Sequence, residues 1–224
     1  VAFDSNVTLN VSIGFASNPY ATSYTYTDVS AYVMKINITR GRQQALSEIG
    51  TGKATVVFDN DDRRFDPTDT TSPYSPNVLP NKPLRIQAIY DSTTYTLYEG
   101  FIQGYPQQFI NSGNKAITTV TCLDALSLFH LAQHTDNESE EASSVRVTNI
   151  LNDISWSSSK RDIATGVLDV QAETTDRDAL AALRLTASSE GGEIFIAKDG
   201  DVKFNNRRTL LLNQTSQGTF GVGA

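Results

Sequence analysis

The densest collection of reactive side chains in the sequence is FDNDDRRFDP, which sets Asp59, Asp61, Asp62 and Asp66 around Arg63 and Arg64. Four carboxylates so close together could offer oxygen ligands to a calcium ion, which takes six to eight of them. The loop lacks the glycine and the distal glutamate of an EF-hand, and the two arginines compete for the same carboxylates. A salt-bridged loop of Asx turns is therefore the expectation, with no metal. His130 and His134 are four residues apart, the spacing of two zinc ligands on one helix face. No metalloprotease glutamate stands between them and no third ligand is signalled. They are expected as two histidines at the C-terminal end of a helix, one partly buried and one solvated. Glu99 and Asp124 illustrate how a carboxylate pair might be drawn from the many acids, but spacing alone identifies no glycosidase pair. The sequence has neither a Gly-x-Ser-x-Gly elbow nor a phosphate-binding glycine loop. No catalytic, cofactor-binding or metal-binding residue is predicted.

The elements that would position these groups follow from hydrophobic period. From Val7 to Cys122 the period is mostly two, and Val7–Ile13, Tyr32–Thr39, Lys53–Phe58, Leu84–Tyr90, Thr94–Gly104 and Lys115–Cys122 read as strands. Turn signals separate them at 17–19, 50–52, 91–92 and 111–114, with Asp91-Ser92 as a tight hairpin. After Cys122 the period turns helical. Leu123–Gln133 predicts a short helix, and the polar run His134–Ser144 is the best candidate for a linker. Val145–Ile154 carries helical spacing again, and Asp162–Val170 reads as extended. Asp176 is expected to cap an Ala/Leu-rich helix that stops at Gly191-Gly192. Glu193–Phe204 reads as a hairpin turned at Asp199-Gly200. The fold class is therefore mainly β with an α+β part: an antiparallel β-barrel or sandwich, then a small helix–strand–helix–hairpin module. The domains are expected at 1–133 and 134–208, with 209–224 opening a further segment. The absent initiator Met and the unclosed GTFGVGA tail are expected of a piece of a longer chain.

Composition narrows the function classes. The chain has 224 residues, 39% hydrophobic, and is long enough to bury a core and too rich in apolar residues for intrinsic disorder. Its net charge of −7 argues against a general grip on nucleic acid, which needs clustered cations. No apolar run is long enough for a membrane span, and the first residues lack the pattern of a signal peptide. Cys122 is the sole cysteine, so an intrachain disulfide is impossible. Five Asn-x-Ser/Thr sequons, at Asn6, Asn10, Asn37, Asn137 and Asn213, are expected by chance in a chain this rich in Asn, Ser and Thr.

Four segments then carry a family resemblance: TDVSAYVMKINITRGRQ, TGKATVVFDNDDRRFDP, SPYSPNVLPNKPLRIQA and YEGFIQGYPQQF. With VTCLDALSLF and ASSEGGEIFIAKDGDVKFNNR in the same order, the chain from about Thr27 to Arg208 resembles the N-terminal region of minor tail proteins, the tail-tip or baseplate hub proteins of long-tailed bacteriophages. The resemblance implies a structural virion protein with a tail-tube-like β domain and a small α+β domain docked outside. It implies a trimer closing the distal end of a six-fold tail tube, in which each subunit presents two tube-like domains. One such domain is legible, so a second would lie beyond Ala224 or in another protein. The implied partners are distal tail or tail-tube proteins, the tape measure and tail fibre or tip proteins. Phage DNA would pass through the lumen without specific binding, and assembly would take place in the host cytoplasm.

The loop allows a mechanical reading beside that resemblance. Pro67, Pro73, Pro76, Pro80 and Pro83 stiffen it, lowering the entropy lost on docking. Arg63, Arg64, Phe65, Asp66 and Tyr74 are the candidate interface residues, with the aromatics as anchors and the arginines as charge-assisted donors. Equally, Phe65 and Tyr74 fold back to cap their own domain while the arginines bond Asp59 and Asp62. An alternative function is a carbohydrate-binding or adhesin-like β module that recognises the host surface, with Trp156 and nine tyrosines in its favour.

Overall fold

The computed structural model describes residues 7–42, 48–110 and 115–212. The turn expected at 111–114, the sequons at Asn6 and Asn213 and the segment 213–224 lie outside the described residues. The first part is one antiparallel sheet built from β1 (Thr8–Ile13), β2 (Thr27–Asp28), β3 (Val33–Thr39), β4 (Lys53–Asp59), β5 (Pro83–Tyr90), β6 (Thr93–Gly104), β7 (Gln107–Ile110) and β8 (Lys115–Leu123). Its order is β2-β1-β5-β6-β8-β4-β3, with β7 alongside β8. All six expected strands are present, and β2 and β7 are additional.

The sheet does not close into a barrel. Closure would need its two outer strands to pair, and β2 spans only two residues against the seven of β3. A ladder of that length cannot seal the edge, so the fold is a sandwich. Alternation places Ala54, Val56 and Phe58 of β4 opposite Cys122, Val120 and Thr118 of β8, all buried. With Val11, Ile13, Leu84, Ile86, Tyr98 and Ile102 they form one core, lidded by Phe65 and Val78. The hairpin between β5 and β6 turns at Asp91 and Ser92, with φ of +47° and +61°. Positive φ at both central residues matches the right-handed strand twist.

The second part contains α1 (Leu126–Leu131), β9 (Gln133–Glu138), β10 (Glu141–Ala142), α2 (Ser143–Asp153), β11 (Arg161–Ile163), β12 (Asp169–Val170), β13 (Glu173–Asp178), α3 (Ala179–Glu190), β14 (Glu193–Ile196), β15 (Val202–Asn205) and α4 (Arg207–Leu212). Leu126, Phe129, Val147, Ile150, Leu151, Trp156, Leu183 and Phe204 form a second core. Phe101 joins it from β6, while Tyr98 and Ile102 of the same strand face the first core. β6 is thus a wall shared by both.

Four expectations are corrected here. The polar run His134–Ser144 is not linker: most of β9 and all of β10 lie in it, and β9 pairs with β13 from Gln133↔Asp178 to Glu138↔Glu173. Its inward residues are polar, so hydropathy gives no strand signal. His134 is 1% exposed, with Nδ1 2.8 Å from Asp153 and Nε2 3.0 Å from Glu138. It therefore sits on a strand rather than a helix end, while His130, on α1, is solvated. The cap of α3 is Asp178, whose carboxylate accepts the Ala181 N–H at 2.9 Å; Asp176 lies within β13 and bonds Gln133 and Thr135. Between Asp162 and Val170 only the short β11 and β12 are strands. The expected stop at Gly191 holds, with φ of +67°.

Candidate docking site

Asn60–Ser75 has a local order that its acidic composition conceals. Each third amide closes on the carbonyl three residues back: Arg63 on Asn60 at 2.9 Å, Asp66 on Arg63 at 3.0 Å, Asp69 on Asp66 at 3.2 Å, Ser72 on Asp69 at 3.3 Å and Ser75 on Ser72 at 3.0 Å. The segment is a ladder of consecutive β-turns. Its sequence is suited to this, because Asn60, Asp66, Asp69 and Ser72 occupy first positions, and Pro67 and Pro73 occupy second positions, where their fixed φ belongs. The first-position side chains brace the turns. Asp66 accepts the Thr68 N–H at 2.9 Å, Asp69 the Thr71 N–H at 2.9 Å, and Ser72 Oγ the Tyr74 N–H at 3.2 Å.

The five candidate residues separate into two groups. Phe65 is fully buried, 4.7 Å from Phe58 and 5.7 Å from Tyr74 between ring centroids. Tyr74 stacks on Phe15 at 4.1 Å. Phe65 therefore caps its own sheet. Arg64 pairs with Asp62, and its guanidinium lies 3.6 Å above the Tyr32 ring. Arg63 takes the left-handed φ of +57° and reaches Asp66 at 2.7 Å, yet its side chain stays 56% exposed. Of the expected salt partners, Asp62 is bonded by Arg64, whereas Asp59 is bonded by Lys115 at 2.6 Å and Arg63 bonds Asp66.

The charges are satisfied locally. The Arg63 hydrogen bond holds the Asp66 carboxyl below its ordinary range, and the Arg64 hydrogen bond does the same for Asp62. For Asp61 the leading cause is the Ala116 N–H, with Lys115 next. Each carboxylate of the cluster thus already has a cation or N–H partner, and among the described residues no group of three or more His, Cys, Asp or Glu is placed to hold a metal ion. Asp61, Asp62, Arg63, Pro67, Thr68, Thr70, Thr71 and Pro73 make up the exposed surface of the ladder.

Two organisers escape sequence reasoning. Asn60 is fully buried, and its Oδ1 accepts the Phe65 N–H at 2.8 Å. Gln107 of β7 donates through Nε2 to the Phe65 and Tyr105 carbonyls, both at 2.9 Å. An Asn ending a strand before a turn is a recognisable signal, whereas Gln107 comes from more than forty residues away and leaves none. Asp124 is also separate from Glu99 in its chemistry. It is buried and accepts the Gly52 N–H at 2.5 Å and the Leu126 N–H at 3.0 Å, tying β4 to the first turn of α1. Burial pushes its carboxyl up to about 7.

No protein-family model and no curated protein matches the sequence. Solved structures do match the fold. A tail protein from Neisseria meningitidis MC58 superposes with a TM-score of 0.55 at 10% identity, covering 89% of this chain and 51% of that one. The 43 kDa tail protein of prophage MuSo2 from Shewanella oneidensis gives 0.55 at 10% identity, covering 88% and 53%. A chain of the Francisella PdpA–VgrG complex gives 0.51 at 10% identity, covering 95% and 30%. The chain thus spans about half the length of the two tail proteins it matches. Its fold, from the open sandwich through the α+β part, is similar to that of these two tail proteins.

Proposed function

We propose that this chain is a structural component of a phage tail tip or baseplate hub, closing the distal end of the tail tube and docking neighbouring tail proteins. The observation that carries this reading is the fold shared with two tail proteins, one of them from a prophage, over nearly nine-tenths of the chain. The turn ladder supports it: a braced, proline-stiffened surface loses little entropy when it docks. Arg63 is the residue that reaches the partner, and Arg64 and Phe65 hold it in position. The two hydrophobic cores support a division into a sheet unit and an α+β unit. The chain functions without catalysis, as part of a homotrimer in the virion tail.

Electron microscopy of virions carrying an epitope on this chain tests the placement. Label is expected at the distal end of the tube. Label along the whole tube, or none on virions, would sink the reading. A purified chain that stays monomeric and binds host glycans would favour a host-surface module instead.

A further inference from the structure

The connection from β1 to β2 crosses from the sheet onto the helical part as an aromatic strap. Tyr20 meets Trp156 edge-on at 6.0 Å. The Tyr24 ring lies 3.0 Å from Lys160 Nζ and packs edge-on against Phe101 at 6.3 Å. Tyr26 lies 4.1 Å below the Arg85 guanidinium. Ser159 Oγ donates to the Thr22 carbonyl at 3.1 Å. Beneath the strap, Glu99 of β6 presses against the turn of the β14–β15 hairpin. A Cβ at Gly200 would stand 3.0 Å from Glu99 Oε1, and Gly200 also takes a φ of +87°, so glycine is required there twice over.

Two buried nitrogens of this junction, Lys160 Nζ and Arg85 Nε, lack hydrogen-bond partners among the described residues. Rings and a nearby carboxylate compensate the two cations in part, and desolvating a charge with incomplete partners costs free energy. We propose that the strap is a clasp over Trp156, opened by parting Tyr24 from Lys160, and that the charges on Glu99 and Lys160 set how firmly it closes. This inference stands apart from the tail assignment.

Glu99 is faced by Tyr24 and Tyr26 from the strap, Arg85 from β5, Lys160 from the turn after α2 and Asp201 from the hairpin. Lys160 is faced by Tyr24, Trp156, Glu99 and Asp201. Asp201 in turn neighbours Asp199, Lys203 and Asp162. Burial raises the carboxyls of Glu99 and Asp201, so the closed clasp keeps protons that the open one has lost. Rising pH weakens closure across that interval. Burial lowers Lys160 from 10.5 to about 8, so above that point the closed clasp is neutral while the open one still carries a proton. Rising pH then strengthens closure. Protonation of Glu99 therefore tightens the clasp at the acid end and deprotonation of Lys160 tightens it at the alkaline end, so it is loosest between them. Burial pushes the Tyr24 and Tyr26 phenols upward, so they stay neutral throughout.

Trp156 is the sole tryptophan and is 2% exposed, so acrylamide quenching of the intact chain reads the clasp directly. Between pH 5 and 9.5 quenching is expected to peak below about pH 8, where Lys160 is still charged, and to fall on either side of the peak. On the alkaline side the open population drops by up to about tenfold per pH unit. Glu99→Gln should flatten the acid limb. Lys160→Arg, which keeps its charge throughout, should flatten the alkaline limb. A flat or monotonic profile in the unaltered chain overturns the proposal, as does an alkaline limb that survives in Lys160→Arg. The profile of the unaltered chain decides the matter if either variant fails to fold.

Discussion

Replacing Asp124 with asparagine isolates one carboxylate that the fold holds at a cost. In the folded chain its carboxyl titrates at about 7, against 3.8 for the ordinary group, because burial penalises the charge more than the Gly52 and Leu126 N–H groups and Arg184 relieve it. Between those values the folded state keeps a proton that the unfolded state has released, so stability falls as pH rises from about 4 to 7. A shift of that size is worth roughly 4 kcal/mol at neutral pH. Asparagine does not ionise, and it can accept only one of the two N–H groups. The other then faces an amide NH2, which costs about 1–3 kcal/mol at every pH. Asp124→Asn should therefore be the less stable protein at pH 4 and equal or exceed the unaltered chain by pH 8. Urea unfolding followed by far-UV circular dichroism at steps across that range measures the difference. Parallel curves, with a constant gap from pH 4 to 8, would refute the argument. So would a gap that widens against the variant.

Other outcomes follow from the same geometry. Phe65→Ala should cost about 3–5 kcal/mol of stability, because it empties a fully buried site in the sheet core. Arg63→Ala should leave the unfolding midpoint almost unchanged while reducing co-purification with tail partners, and unchanged assembly would remove its docking role. Asp178→Ala should cost about 1 kcal/mol through loss of the α3 cap, whereas Asp176→Ala should spare the helix, as thermal unfolding of the pair will tell.

Legibility in the sequence followed the kind of force at work. Strands whose inward residues are apolar, such as β4 with Ala54, Val56 and Phe58, announce themselves by alternation. The same holds for turns that demand positive φ, at Asp91-Ser92 and Gly200. β9 was invisible because its inward residues are His134 and Glu138, held by Asp153 and Arg146 rather than by burial of apolar surface. Pairing with β9 holds Asp176 within β13, so the cap falls to Asp178, where the strand ends. The acids of the loop were legible as Asx turns but not as a ladder. That order depends on a period of three, which neither helix nor strand templates look for. The barrel was a matter of edges, because β2 spans only two residues.

The turn ladder gives the loop something like a reading frame. Each rung closes on the residue three before it, so whole triplets are interchangeable units and single residues are not. Removing Asp69–Thr71 as a block would bring the Ser72 amide onto the Asp66 carbonyl and leave Pro73 in its proper place. Removing one residue would set a proline where an amide must donate and a threonine where a carboxylate must brace. A surface built this way can lengthen or shorten towards a new partner in steps of one rung while the strands at either end stay where they are.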